Sequence, residues 1–132
     1  MGIIKNRVAP DATGAGWFQF VEAPAFTRFR ENYLDDDDYA ELQQYMARNP
    51  EAGDIMPGAG GIRRLRWRDQ RRGKGRRGGL RIIYYCFLSE QEMWLLALYD
   101  KNEAVDLTKK ERDQLRRALE TERATRKPRI GK

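Results

Sequence analysis

The chain alternates between two kinds of apolar spacing. Trp17 to Val21 reads WFQFV, a short run with strand character. Pro24 then suits the first turn of a helix, and Phe26, Phe29 and Tyr33 follow at helical spacing on one face. A second helical pattern carries Tyr39, Leu42 and Met46, and the acids of Asp35 to Asp38 stand at its start, where the helix dipole favours them. Asn49-Pro50 should end it, so the two helices form an αα-hairpin. The segment EAGDIMPGAGG is punctuated by glycine and leads into IRRLRW, an alternating strand. Leu80 to Leu88 and Met93 to Asp100 are two apolar strands joined by Ser89-Glu90-Gln91-Glu92. Both carry apolar residues on alternate faces, which suits central strands. Thr108-Lys109-Lys110-Glu111 is a capping box, and the helix after it sets Leu115, Ala118 and Leu119 on one side.

These elements predict one α+β domain of the order β-αα-βββ-α, with helices on a mostly antiparallel sheet. The domain should span residues 17–126. Residues 1–16, weakly patterned and ending in Pro, Ala and Gly, read as a flexible N-terminal arm. Residues 127–132 read as a frayed C-terminal tail.

Charge sharpens this picture. The chain of 132 residues carries 26 Lys and Arg against 20 Asp and Glu, and its net charge of +6 hides a strong segregation. Acids gather near residues 31–41. Bases crowd the strand and loop that follow: Arg63, Arg64, Arg66, Arg68, Arg71, Arg72, Lys74, Arg76, Arg77 and Arg81. Such a surface, held by a folded sheet, calls for a polyanionic partner, and nucleic acid is the first candidate. With no histidine, the chain has no histidine acid–base chemistry and no histidine-bearing zinc motif. GKGRRGG lacks the Gly-Lys-Ser/Thr order of a phosphate-binding P-loop. Cys86 is the single cysteine, so disulfide stapling is excluded and a reducing cytoplasm is expected. It sits in an apolar run, where packing is its expected role. No apolar run is long enough for a membrane span, and the N-terminus lacks the apolar stretch of a signal peptide.

Strand alternation sets Arg64 and Arg66 on one face and Arg63, Leu65 and Trp67 on the other, while Arg81, Ile83 and Tyr85 share a face of the next strand. Three guanidiniums can therefore converge on one sheet surface. Guanidiniums suit phosphate oxygens, because the planar fork binds them bidentately. Proton transfer needs another group. Lys101 is a candidate where neighbouring positive charges favour loss of its proton, and Tyr84, Tyr85 and Glu103 are others.

The combination of GGIRRLR, KGRRGGLRIIYY and YDKNE, followed by the DLTKKE helix start, resembles the RelE/ParE superfamily of toxins from type II toxin–antitoxin systems. The resemblance covers about residues 17–122 and is nearest to the HigB branch with a long basic loop. It implies a RelE-like microbial RNase fold and a metal-independent, ribosome-dependent mRNA endonuclease that inhibits translation, with no cofactor. It implies a cognate helix-turn-helix antitoxin, with ribosome and mRNA as targets and operator DNA reached only through the antitoxin. Residue by residue, Arg64 and Arg66 match the two lysines of RelE that face RNA, Arg81 matches its strand-opening arginine, and Lys101 matches the lysine after its last strand. These four are the expected catalytic residues, and Arg63, Arg68, Arg71, Arg72, Lys74, Arg76 and Arg77 the expected RNA-binding ones. Asn102 stands where RelE has the arginine proposed as its acid, and the place of its stacking tyrosine falls near Thr108. Two other readings keep the basic surface without the chemistry: a protein that binds RNA or the ribosome without cutting, and a co-repressor acting with a DNA-binding antitoxin.

Overall fold

The computed structural model describes residues 17–68, 79–102 and 108–126, and the backbone of residues 4–8. The elements are β1 (Ile4–Val8), β2 (Phe18–Glu22), α1 (Pro24–Tyr33), α2 (Asp36–Arg48), β3 (Asp54–Ile55), β4 (Arg63–Trp67), β5 (Leu80–Phe87), β6 (Glu92–Asp100) and α3 (Lys109–Arg126). Six strands form one sheet in the order β1-β2-β6-β5-β4-β3. Every neighbouring pair is antiparallel except β2 and β6, where Phe20 stands beside Met93 in a parallel ladder. The α+β class and the mostly antiparallel sheet stand.

The element order needs correction at both sheet edges. Ile4–Val8 lie within the stretch read as an arm, yet they pair with β2, Asn6 opposite Phe20. Asp54 and Ile55, inside the glycine-punctuated segment, pair with Arg64 and Arg63. An edge strand has one neighbour and no need of alternation, so IKNRV and DI carry little side-chain signal. The two expected central strands, β5 and β6, do lie at the centre.

Local chemistry explains the helices. Pro24 opens α1, and Asp35 caps α2 by accepting the Asp38 N–H at 2.8 Å. Asp36, Asp37 and Asp38 fill the first turn of α2. At its end Asn49 donates its side-chain amide to the Tyr45 carbonyl at 3.0 Å. Both bonds of the capping box are present on α3: the Thr108 N–H donates to Glu111 Oε1 at 3.0 Å, and the Glu111 N–H to Thr108 Oγ1 at 3.1 Å. The expected apolar face of α1 is narrower than its spacing. Phe26 is buried, whereas Phe29 is 41% exposed under the Arg28 guanidinium. Ala118 of α3 is also exposed, leaving Leu119 buried and Leu115 half-buried on that helix.

The sheet divides two cores. On one side the helical hairpin packs Phe26 of α1, Leu34 of the turn, and Leu42 and Met46 of α2 over Phe18, Phe20, Ile82, Met93 and Leu95. On the other, the segment with Met56, Ala59 and Ile62, together with Leu119 of α3, lies over Ile83, Phe87, Leu96 and Tyr99. A bulge in β6 serves this second core. Ile83 pairs with Ala97 and Tyr84 with Leu95, so Leu96 is the extra residue, and Leu96 and Ala97 both join the second core.

A buried carboxylate lies beneath the helical hairpin. Glu22 accepts from Thr27 Oγ1 at 2.7 Å and from the Tyr39 hydroxyl, whose pKa is raised by burial and by this bond to a carboxylate.

Candidate nucleic-acid interface

The interface starts from the register of β4, β5 and β6. Leu65 is buried against the helical side, so Arg64 and Arg66 project from the opposite face. Arg66 pairs directly with Arg81, and Arg81 pairs with Tyr99. Arg64 pairs with Ile83, which sets it diagonally from Arg81. Arg64, Arg66 and Arg81 therefore share the sheet face that α3 covers elsewhere. Arg66 is exposed and the other two are half-buried. Their floor is apolar, since Ile83 is fully buried and Tyr99 nearly so. Two like charges directly opposite on adjacent strands are destabilising, and a bound anion reverses the sign of that effect.

Lys101 reaches the same end of the sheet. Leu80 pairs with Asp100, and the Lys101 N–H donates to the Gly79 carbonyl at 2.8 Å. Lys101 thus lies one step beyond the pair of Leu80 and Asp100, close to Arg81, and it is exposed. Of the four residues expected to be catalytic, three stand on β4 and β5 and the fourth in the turn just past β6, all toward one end of the sheet.

The expected RNA-binding residues divide differently. Arg63 turns to the helical side and donates to the carbonyls of Gly53 at 2.7 Å and Glu51 at 3.1 Å. Arg68 stacks over Trp67 with its guanidinium 5.0 Å from the ring centroid, and it pairs with Glu41 and with Asp38 at 3.5 Å. Both hold α2 and its following segment to β4, away from the Arg64, Arg66 and Arg81 surface. Arg71, Arg72, Lys74, Arg76 and Arg77 lie outside the described residues, as does Glu103.

The remaining proton-transfer candidates are engaged elsewhere. Tyr84 faces the helical core, where its hydroxyl accepts the Gly53 N–H at 2.9 Å and donates to the Pro50 carbonyl at 3.1 Å. Burial raises its pKa. Gly53 fits there because a Cβ would come within 2.9 Å of the Tyr84 ring. Tyr85 is on the arginine face but four residues along β5, roughly 13 Å from Arg81, and its hydroxyl accepts from Arg123 at 3.1 Å. Burial pushes the Cys86 thiol up to about 11, which suits packing and not nucleophilic attack at neutral pH.

A separate groove of about 850 Å³ lies between α3 and the β5–β6 turn, lined by Tyr85, Phe87, Leu88, Arg123, Ala124 and Arg126. It opens at the far end of β5 from Arg81. Among the described residues, no group of three His, Cys, Asp or Glu side chains is placed to hold a metal, and no helix is long and apolar enough to cross a membrane.

Two residues near the site escaped the sequence reading: Tyr99, across from Arg81, and Asp100, which is fully buried. An acid closing an otherwise apolar strand was the available signal for Asp100. No family model matches the chain.

Proposed function

We propose that this chain is the toxin of a type II toxin–antitoxin system, with a RelE-like fold, and that it cuts mRNA on the ribosome. The observation that carries the reading is the direct cross-strand pairing of Arg66 with Arg81, with Arg64 on the diagonal and Lys101 at the strand end. The helical hairpin, the three-stranded antiparallel meander and the C-terminal helix also occur in the order that the resemblance implies.

The chemistry uses the RNA's own nucleophile. The 2′-hydroxyl gives its proton to water as its oxygen attacks the adjacent phosphorus, the P–O5′ bond breaks, and the products are a 2′,3′-cyclic phosphate and a 5′-hydroxyl. Negative charge grows on the non-bridging oxygens at the transition state. Arg66 and Arg81, held by two strands, meet that charge without reorganising. Arg64 holds a neighbouring phosphate. Lys101 donates a proton to the departing 5′-oxygen, and its exposed position is open to a substrate presented by the ribosome. A separate antitoxin neutralises the protein, and operator DNA is reached only through it.

Binding without cutting is the second reading, favoured by one observation: with histidine absent and Tyr84 and Tyr85 engaged elsewhere, Lys101 is, of the proton-transfer candidates the sequence offers, the one that stands at this surface among the described residues. Primer extension on a translated message after expression decides between them. Discrete breaks with 5′-hydroxyl ends, lost with Arg81→Ala, are expected. Stalled ribosomes on intact message would overturn the nuclease reading.

A further inference from the structure

We propose that Asp100 is a positioning residue, whose buried carboxylate fixes the turn that holds Lys101 at the open end of the arginine face. The inference rests on the cleavage reading above. Asp100 closes β6 on the side opposite Arg81 and is 0% exposed. A carboxylate withdrawn from water is strongly destabilising unless hydrogen bonds replace the lost hydration. One such bond comes from the Asn102 N–H, which donates to Asp100 Oδ1 at 2.7 Å and closes an Asx-type turn around Lys101. On the other flank the Lys101 N–H donates to the Gly79 carbonyl at 2.8 Å. The backbone of Lys101 is therefore tied to its own turn and to β5.

This matters because a strand end frays and a lysine side chain is long. Without the turn, the ammonium would sample a wide volume, and a displacement of about 1 Å in a reacting group can lower a rate about a hundredfold. The arrangement separates two tasks. Arg64, Arg66 and Arg81 stand on one face of the sheet, and the acid that orders Lys101 stands on the other. Asp100 acts through Lys101 and touches no substrate.

The test compares Asp100→Ala, Asp100→Asn and Lys101→Met by amide hydrogen exchange and by single-turnover cleavage on programmed ribosomes. Asn keeps an acceptor oxygen and removes the charge. Asp100→Ala is expected to speed exchange at Lys101 and Asn102 about tenfold or more while Ile82 and Ile83 stay protected. It should also slow cleavage by about ten- to a hundredfold with ribosome affinity kept. Asp100→Asn should restore both, and Asp100→Ala with Lys101→Met should be no slower than Lys101→Met alone. Unchanged exchange in Asp100→Ala, or full cleavage loss in Asp100→Asn, would overturn the proposal. A wild-type protein that does not cut would sink the nuclease reading alone, because exchange still decides the turn. Should Asp100→Ala fail to fold, Asn102→Pro removes the donor instead, and protection of Lys101 surviving that change would overturn the proposal.

Discussion

On one side of the sheet, the helical hairpin lays Phe26, Leu34, Leu42 and Met46 onto the strands. On the other, α3 contributes Leu119, fully seated, with Leu115 half-buried beside it, and also reaches the strands through arginines. Arg123 donates to the Gly60 carbonyl and the Tyr85 hydroxyl, each at 3.1 Å. Arg126 lies over the Phe87 ring at 4.0 Å from its centroid and pairs with Glu92 and Glu122. The first cover excludes water over a continuous apolar area, which is the dominant stabilising term in a fold. The second is held by charge-assisted and cation–π contacts near solvent, each small. The larger apolar cluster thus lies on the helical side, while the other face, covered by the segment with Met56 and Ile62 and by α3, displays Arg64, Arg66 and Arg81 beyond that cover.

That contrast can be broken first in the helical core. Phe20→Ala should destabilise the protein by about 3–5 kcal/mol, read from denaturant midpoints. Arg81→Ala should leave the midpoint and far-UV spectrum unchanged while lowering single-turnover cleavage about 10²- to 10³-fold. Leu119→Ala tests the thin cover and should cost about 2 kcal/mol, the lower end for a buried leucine. Arg66→Gln should shallow the dependence of log K on log salt for single-stranded RNA by about 0.7, one phosphate contact. An unchanged slope would remove Arg66 from the docking surface.

The smallest effect belongs to acid. Hydrogen bonds from Arg116 and Lys109 hold the Asp113 carboxyl below its usual range on the exposed face of α3. A depressed folded pKa stabilises α3 above the ordinary carboxylate range and loses that contribution as pH falls through the folded value. Amide exchange should therefore report loosening of α3 at acid pH before β5 and β6 respond. Simultaneous loosening would mean that the two covers are equally firm.

The elements legible in the sequence are those whose side-chain pattern is local. The capping box at Thr108, the caesura at Asn49-Pro50 and the alternation of Arg64, Leu65 and Arg66 each depend on residues within a few positions. Parity also sends Arg63 to the helical side. What it meets there, the Gly53 carbonyl, belongs to a backbone path that no spacing reveals. Arg68 looked like one more base in a basic run, and Asp38 looked like a helix-start acid. Their pairing is a tertiary fact, set by how α2 lies across β4. The same holds for the burial of Asp100, since an acid at a strand end is usually exposed. The edge strands β1 and β3 were illegible for the opposite reason: their partners define them.

The parallel ladder between β2 and β6 has a consequence for the order of assembly. β4, β5 and β6 follow one another and can zip as neighbours, so the arginine face needs only short-range closure. β2 must wait for β6, which is synthesised long after it, before Phe20 finds Met93. Closing so long a loop is entropically unfavourable, and folds dominated by such pairings form slowly. Until β6 leaves the ribosome, the helical hairpin has half a floor to rest on. A nascent chain is therefore kept unfinished until β6 has emerged, and the surface proposed to attack translation is completed with that same strand.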